Sequence, residues 1–213
     1  MDNELINIFD ENYNHVGIAP RDEVHQKGYW HEAFHCWFVK IEDDTEYIYL
    51  QIRSPQKKDY PNLLDITAAG HLLANETIED GVREVKEELG IDVYFEELVP
   101  VGVLKYSETI GGIIDNEFAN VFLYYSNNTF DDYQLQKEEV SGIVRVKLDD
   151  LQALWLGGKK EVTVQGFELN AVGEKVSIEK TVSKRGFLQY EETYYKAIIN
   201  GINPLIQIND DRG

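Results

Sequence analysis

The stretch TAAGHLLANETIEDGVREVKEELGI, residues 67–91, decides how the rest of the chain is read. If TIEDGVREVKEELG (77–90) is a helix, Glu84, Glu87 and Glu88 fall at i, i+3 and i+4 and share a face. Three like charges side by side repel one another, so the cluster calls for a compensating cation. Thr77 stands where an N-cap belongs, with Asp80 three residues on, and Gly90 takes the place of a C-cap glycine. Val82, Val85 and Leu89 form the apolar stripe, which Gly81 weakens.

Outside this helix the chain reads mostly as strands. LINIF (5–9) is a short strand and DENYNHVG (10–17) the turn after it. AFHCWFVKI (33–41) and EYIYLQIRS (46–54) form a hairpin across EDDT, and LLDITAAG (63–70) is a strand running into Gly70. Downstream, VYFEEL (93–98), VPVGVLKYSET (99–109), NEFANVFLYYS (116–126) and SGIVRVKL (141–148) read as strands, with GGIID a turn. A second helix starts behind Asp149. EVTVQGFELNAVGEKVSIEKTV (161–182) reads as a β-hairpin, and RGFLQYEETYYKAIINGI (185–202) as a last amphipathic helix. Strands dominate and the helices are few and separated, so the fold class is α+β with a mixed sheet.

Composition narrows the function. At 213 residues and 43% hydrophobic, the chain suits one domain with an elaborated tail. No apolar run reaches the ~18 residues of a membrane span, and MDNELINIFD lacks a signal-peptide pattern. A single cysteine, Cys36, excludes an internal disulfide and fits a reducing cytosol, so a cytoplasmic location is expected. The net charge of -19 repels nucleic acid and anionic lipid. A small anion can still bind where divalent ions neutralise an acidic pocket.

REVKEELGI (83–91) has the pattern R-E-U-x-E-E-x-G-U, with U apolar, and Gly70 and Glu76 stand upstream. This resembles the Nudix box, the signature of hydrolases that cleave diphosphates linked to another moiety. The resemblance implies a Nudix-type mixed sheet sandwiched by helices. It also implies Mg²⁺ or Mn²⁺ held by Glu84, Glu87 and Glu88, with Arg83 holding one of these glutamates in position. Hard ions of this kind prefer carboxylate oxygens. Six residues separate Glu76 from Arg83 where the family has seven, which leaves the role of Glu76 open.

VHQKGYWHEAFHCWFV (24–39) and IRSPQKKDYPNLLDITAAGH (52–71) resemble isopentenyl-diphosphate isomerase, a Nudix-fold enzyme, in a likeness running from about residue 5 to about residue 155. That enzyme binds metal through three histidines and two carboxylates. His25, His31, His71, Asp115 and Glu117 match those places, with Asp for Glu at one. Such a set suits Mn²⁺, Zn²⁺ or Fe²⁺ as well as Mg²⁺. Of the basic cluster Arg53, Lys57 and Lys58, the first two match positions that hold the diphosphate. His35 and His15 have no counterpart, and His35 is assigned to the first core strand. The isomerase needs a cysteine just before the Gly-His pair, where this chain has Ala69. Alanine transfers no proton.

The resemblance therefore implies hydrolysis of a small diphosphate-containing substrate by water attack at phosphorus. Glu139, in QKEEVSG, is a further carboxylate for metal ligation or general base work. An isomerase of an allylic diphosphate and a non-catalytic ligand-sensing module stand as alternatives. The second predicts eroded box glutamates, and none is eroded. Residues 1–156 read as the Nudix domain. Residues 157–213 read as an extension on the same domain that covers the pocket, packs on the sheet or forms a homodimer contact.

Overall fold

The computed structural model of the chain describes residues 4–210. In chain order, β1 (Leu5–Phe9) and β2 (His15–Pro20) precede α1 (Arg21–Lys27), followed by the long β3 (Trp30–Glu42) and β4 (Thr45–Arg53). Two short strands, β5 (Leu64–Asp65) and β6 (Ala68–His71), lead to α2 (Arg83–Leu89). Then come β7 (Leu98–Ile110), β8 (Ile113–Tyr125), β9 (Val140–Lys147), α3 (Leu148–Leu156), β10 (Glu161–Leu169), β11 (Lys175–Ser183) and α4 (Glu192–Asp210).

Strand β3 organises the sheet. Along one edge it runs parallel to β8, from Trp30 opposite Asn116 to Val39 opposite Tyr125. Along the other it meets β1, β6 and β4 in turn, all antiparallel. Beyond β4 the sheet continues through β9, β10 and β11. Side chains alternate across β3 and sort into two cores. Phe34, Cys36 and Phe38 face Val85 and Leu89 of α2. Trp37 and Val39 face Leu151 and Leu154 of α3 and Tyr194, Ile198 and Ile202 of α4. The mixed α+β sheet with helices on both faces is the expected class. Among the described residues no helix is long and apolar enough to cross a membrane.

Local structure departs from expectation in several places: α1 forms where no element is expected, β8 takes in residues 113–115 of the GGIID turn, and α4 starts at Glu192 rather than at 185. Residues 15–17, read as turn, begin β2, an edge strand with Ala19 as its buried residue, so its apolar alternation is faint. VYFEEL turns into a 3-10 segment at Phe95–Glu97, because the Glu97 carboxylate accepts the Tyr94 N–H at 2.8 Å and closes a local turn. The strand read at 63–70 breaks in two. At the break, Thr67 Oγ1 accepts from Phe38 N and donates to Tyr49 O, replacing ladder bonds with side-chain ones. The helix read at 77–90 is a 3-10 turn at Glu79–Val82 followed by α2.

That last departure falls within the short box. A 3-10 residue rises about 0.5 Å more than an α-helical one. The four residues of Glu79–Val82 therefore offset roughly the rise of the one missing residue. Gly81 belongs here for a reason other than helix weakness. A Cβ on it would lie 2.8 Å from the Phe34 ring, so the glycine lets the turn settle onto β3. Gly81→Ala is expected to destabilise the fold by about 1–3 kcal/mol, as overpacking does. Urea denaturation checks this through a lower midpoint at unchanged slope.

Candidate active site

Three consecutive residues of β6 connect two polar clusters. Ala69 N–H donates to Glu88 Oε2 at 3.2 Å, and Gln51 Nε2 donates to the same oxygen at 3.4 Å. Gly70 leaves the space that the Glu84 carboxylate fills: a Cβ there would lie 2.2 Å from it. His71 belongs to the second cluster. Burial, reinforced by the charge of Glu84, pushes Glu88 well above the ordinary carboxylate range. Glu84 is pushed up to about 7, first by burial, with Arg83 opposing and Glu87 adding to the rise. Bare carboxylates in this place are costly, as expected of groups that await a cation.

Arg83 ties the first cluster together. Its Nε and Nη2 grip Glu76 at 2.5 and 3.0 Å, and Nη1 reaches Glu84 at 2.6 Å and Glu87 at 3.2 Å. Nη2 also donates to His71 O at 3.1 Å, which couples the two clusters through the backbone. Glu76, left open by its spacing, is thus held by Arg83 and by Leu73 N–H at 2.8 Å. The three box glutamates do not all turn inward. Glu84 and Glu88 do, whereas Glu87 is 54% exposed and drawn to Arg83 four residues back.

Loop 54–62 closes the rim beside Glu88. Lys57 Nζ pairs with Glu139 Oε2, and both charges are felt at Glu88. Glu138 and Lys58 point to solvent. Arg53 is occupied by its own chain. It donates to Asp65 Oδ2 at 2.8 Å, Asp59 Oδ2 at 2.9 Å, Asp59 O at 3.1 Å and Tyr60 O at 3.2 Å. Four of its roughly five N–H donors are thereby used to shape the loop.

The second cluster joins residues far apart in sequence. His25 comes from α1, His31 from the start of β3, His71 from the end of β6, and Asp115 and Glu117 from β8. One ligand atom from each of His25, His31, His71 and Asp115 lies within 4.8 Å of all the others. Glu117 Oε1 stands 3.9 Å from His71 Nε2. His25 Nδ1 lies 2.9 Å from Arg21 O and His31 Nδ1 3.1 Å from Tyr29 O. Carbonyls only accept, so both Nδ1 atoms carry the hydrogen, and both Nε2 lone pairs are free. These lone pairs aim at Asp115 Oδ1, at 3.6 and 3.5 Å.

Among the described residues, the free Nε2 atoms of His25 and His31 thus face Asp115 with no N–H between them. His31 Nε2 and Asp115 Oδ1 are buried without a hydrogen-bond partner. Burial holds His31 below the ordinary histidine range and His71 well below it. Asp115 is pushed up to about 8, by burial and then by the charge of Glu117. Imidazole nitrogens, a carboxylate and orphaned lone pairs on one point could hold a divalent metal.

His35 also reaches this cluster, although it matched no ligand position. Its Nε2 lies 3.4 Å from Glu117 Oε2, and it stands opposite Ala69 in the β3–β6 pairing. The available signal was its spacing from His31: four residues along a strand share a face. Cys36, its neighbour, is buried on the other face with its thiol pushed up by burial.

Residues 30–165 match the NUDIX domain family. The chain belongs to the Nudix family. It is 40% identical over 203 residues to an uncharacterized Nudix hydrolase of Clostridium acetobutylicum, covering 95% of this chain and 98% of that one. Nudix hydrolase 3 of Arabidopsis thaliana is 34% identical over 158 residues, 70% of this chain but 20% of the longer plant protein. An isopentenyl-diphosphate Delta-isomerase of Mycolicibacterium vanbaalenii is 30% identical over 121 residues, 56% of this chain and 65% of that enzyme. Among solved structures, a Deinococcus radiodurans protein superposes with TM-score 0.54 at 22% identity, over 73% of this chain and 91% of its own. With these relatives, this Nudix protein is a hydrolase.

Proposed function

We propose that this Nudix protein hydrolyses a small diphosphate-containing molecule with Mg²⁺ or Mn²⁺, by water attack at phosphorus. The observation that carries this reading is the convergence of two ligand-bearing clusters on the Ala69-Gly70-His71 segment. Glu84 and Glu88, with Glu87 at the rim, would hold the catalytic ion, and Arg83 with Glu76 fixes their directions. When bound, the ion would neutralise charge on the diphosphate oxygens. Glu139 would take a proton from the attacking water or add a ligand. Lys57 would turn from Glu139 to the diphosphate, while Arg53 shapes the loop that presents it. His25, His31, His71, Asp115 and Glu117 would hold a second ion. Residues 157–213 are read as an extension of the same unit: β10 pairs with β9, and α4 fills the core beneath β3.

A screen of nucleoside diphosphate-linked compounds and other diphosphates with Mg²⁺ and Mn²⁺, scored for phosphate-bearing products, tests this. No turnover with any diphosphate would sink it. Isopentenyl diphosphate belongs in the same screen, because the likeness to the isomerases extends to the five ligand positions. With Ala69 beside Gly70 and Cys36 sealed on the opposite face, no double-bond isomerisation is expected. Product chromatography showing dimethylallyl diphosphate would contradict that.

A further inference from the structure

His35 has no part in the ligand set, yet its ring spans the gap between the histidine–carboxylate cluster and the C-terminal helix. It is 2% exposed. Its Nε2 faces Glu117 Oε2 at 3.4 Å, and its Nδ1 lies 2.9 Å from the Tyr194 hydroxyl of α4. The same hydroxyl receives the Trp37 indole N–H at 3.2 Å. All three side chains are buried, Trp37 at 1% and Tyr194 at 4% exposure, so bulk water does not compete for these bonds.

The chemistry of the donors sets the direction of the row. An indole nitrogen only donates, so the Tyr194 oxygen accepts from Trp37. The phenol keeps one hydrogen, and its other partner among the described residues is His35 Nδ1. A buried hydroxyl hydrogen without an acceptor is unfavourable, so Tyr194 donates to Nδ1. Nδ1 then carries no hydrogen, so the ring hydrogen sits on Nε2, aimed at Glu117. Every donor from Trp37 through Tyr194 to His35 points toward one carboxylate. Glu117 Oε2 faces this Nε2 at 3.4 Å, and Oε1 remains on the His71 side, 3.9 Å from its Nε2.

We propose that Tyr194 and His35 are positioning residues for the metal centre, Tyr194 locking His35 as its Nε2–H tautomer and His35 orienting Glu117 toward the ion. This rests on the metal reading of the cluster. Partners of this kind orient ligands and tune affinity without touching the metal. The inference also gives the C-terminal segment a part in the site, since Tyr194 lies outside the stretch that matches the family, residues 30–165.

Two measurements on the full chain test it. Two-bond proton–nitrogen NMR of the metal-free protein should show His35 as the Nε2–H tautomer. Tyr194→Phe, which removes one oxygen, should give a mixture of tautomers. An Nδ1–H tautomer in the wild type, or an unchanged tautomer in Tyr194→Phe, overturns the proposal. Mn²⁺ affinity is read second, at the site that His31→Ala abolishes. Tyr194→Phe should weaken it about 10-fold and His35→Phe about 100-fold, the range for outer partners of metal ligands. His35→Gln can accept at Oε1 and donate at Nε2, and should recover most of the loss. Wild-type Mn²⁺ affinity in both Tyr194→Phe and His35→Phe, even with a lowered Tm, means a scaffold role only and overturns the proposal. Absence of any His31-dependent Mn²⁺ site in the wild type would instead overturn the metal reading itself, and this inference with it.

Discussion

Glu88→Gln is expected to lower turnover about 1,000-fold at saturating Mg²⁺ or Mn²⁺, while the protein remains folded. The carboxylate is 5% exposed, receives Ala69 N–H and Gln51 Nε2, and sits beside the Lys57–Glu139 pair. It is well placed to turn full charge onto an ion, and the amide cannot supply that charge. Several kcal/mol of lost transition-state stabilisation correspond to about this factor. Stability should move the other way. Burial raises Glu88 above its unfolded value, so the folded metal-free state binds the proton more tightly than the unfolded one. Stability contributed by such a group falls as pH rises above about 4.5, the range in which the unfolded carboxyl ionises. At neutral pH, Glu88→Gln removes this penalty, and its Tm in EDTA should equal or exceed that of the wild type. Glu87→Gln should cost much less turnover, because Glu87 is half out in solvent and paired with Arg83. Equal activity of Glu88→Gln and wild type under saturating metal would remove Glu88 from the ion site.

His71→Ala is expected to weaken binding of Mn²⁺ or Zn²⁺ at the histidine–carboxylate cluster by more than the ~10–100-fold that an outer partner costs. The imidazole is one of three whose ligand atoms crowd within 4.8 Å of each other and of Asp115. Removing it takes away one of the five candidate ligand groups and opens a coordination position to water. Proton release provides an independent reading. Burial and the charge of Glu117 raise Asp115 in the metal-free protein, which favours its protonated form. An ion needs the carboxylate, so binding at pH 7 should expel close to one proton. Isothermal titration in buffers of different ionisation enthalpy measures it. Release should diminish as pH rises and the carboxyl ionises before the ion binds. Affinity should also fall in acid, as protons compete for the imidazoles. Metal binding by His71→Ala with wild-type affinity would remove the cluster as a metal centre.

The glutamate helix shows how far local sequence reaches. Glu84, Glu87 and Glu88 were brought to one helix by spacing alone, since the 3.6-residue period needs no distant partner. Glycine at 70 and 90, the strand-rich α+β class and the family of the chain were legible for the same reason: short-range patterns encode them. Spacing did not tell which way each carboxylate turns. Arg83 draws Glu87 outward, and Gly70, on another strand, opens the space for Glu84. Arg53 read as a diphosphate ligand because its partners Asp59 and Asp65 meet it only through the fold of the loop.

The histidines divide in the same way. His25, His31 and His71 could be picked out by resemblance, but their convergence with Asp115 depends on the parallel pairing of β3 with β8 and on β6 along the opposite edge. His35 reads as a residue of the first core strand with no role in the site, because both groups that define it are distant. Glu117 lies across that parallel pairing, and Tyr194 is 159 residues away on α4. By itself the sequence determined the chemical groups, their helical or strand phase and the family. Only the tertiary structure decided which groups share a buried space, because hydrogen bonds and charges act over a few ångströms and long-range strand pairing brings those ångströms about.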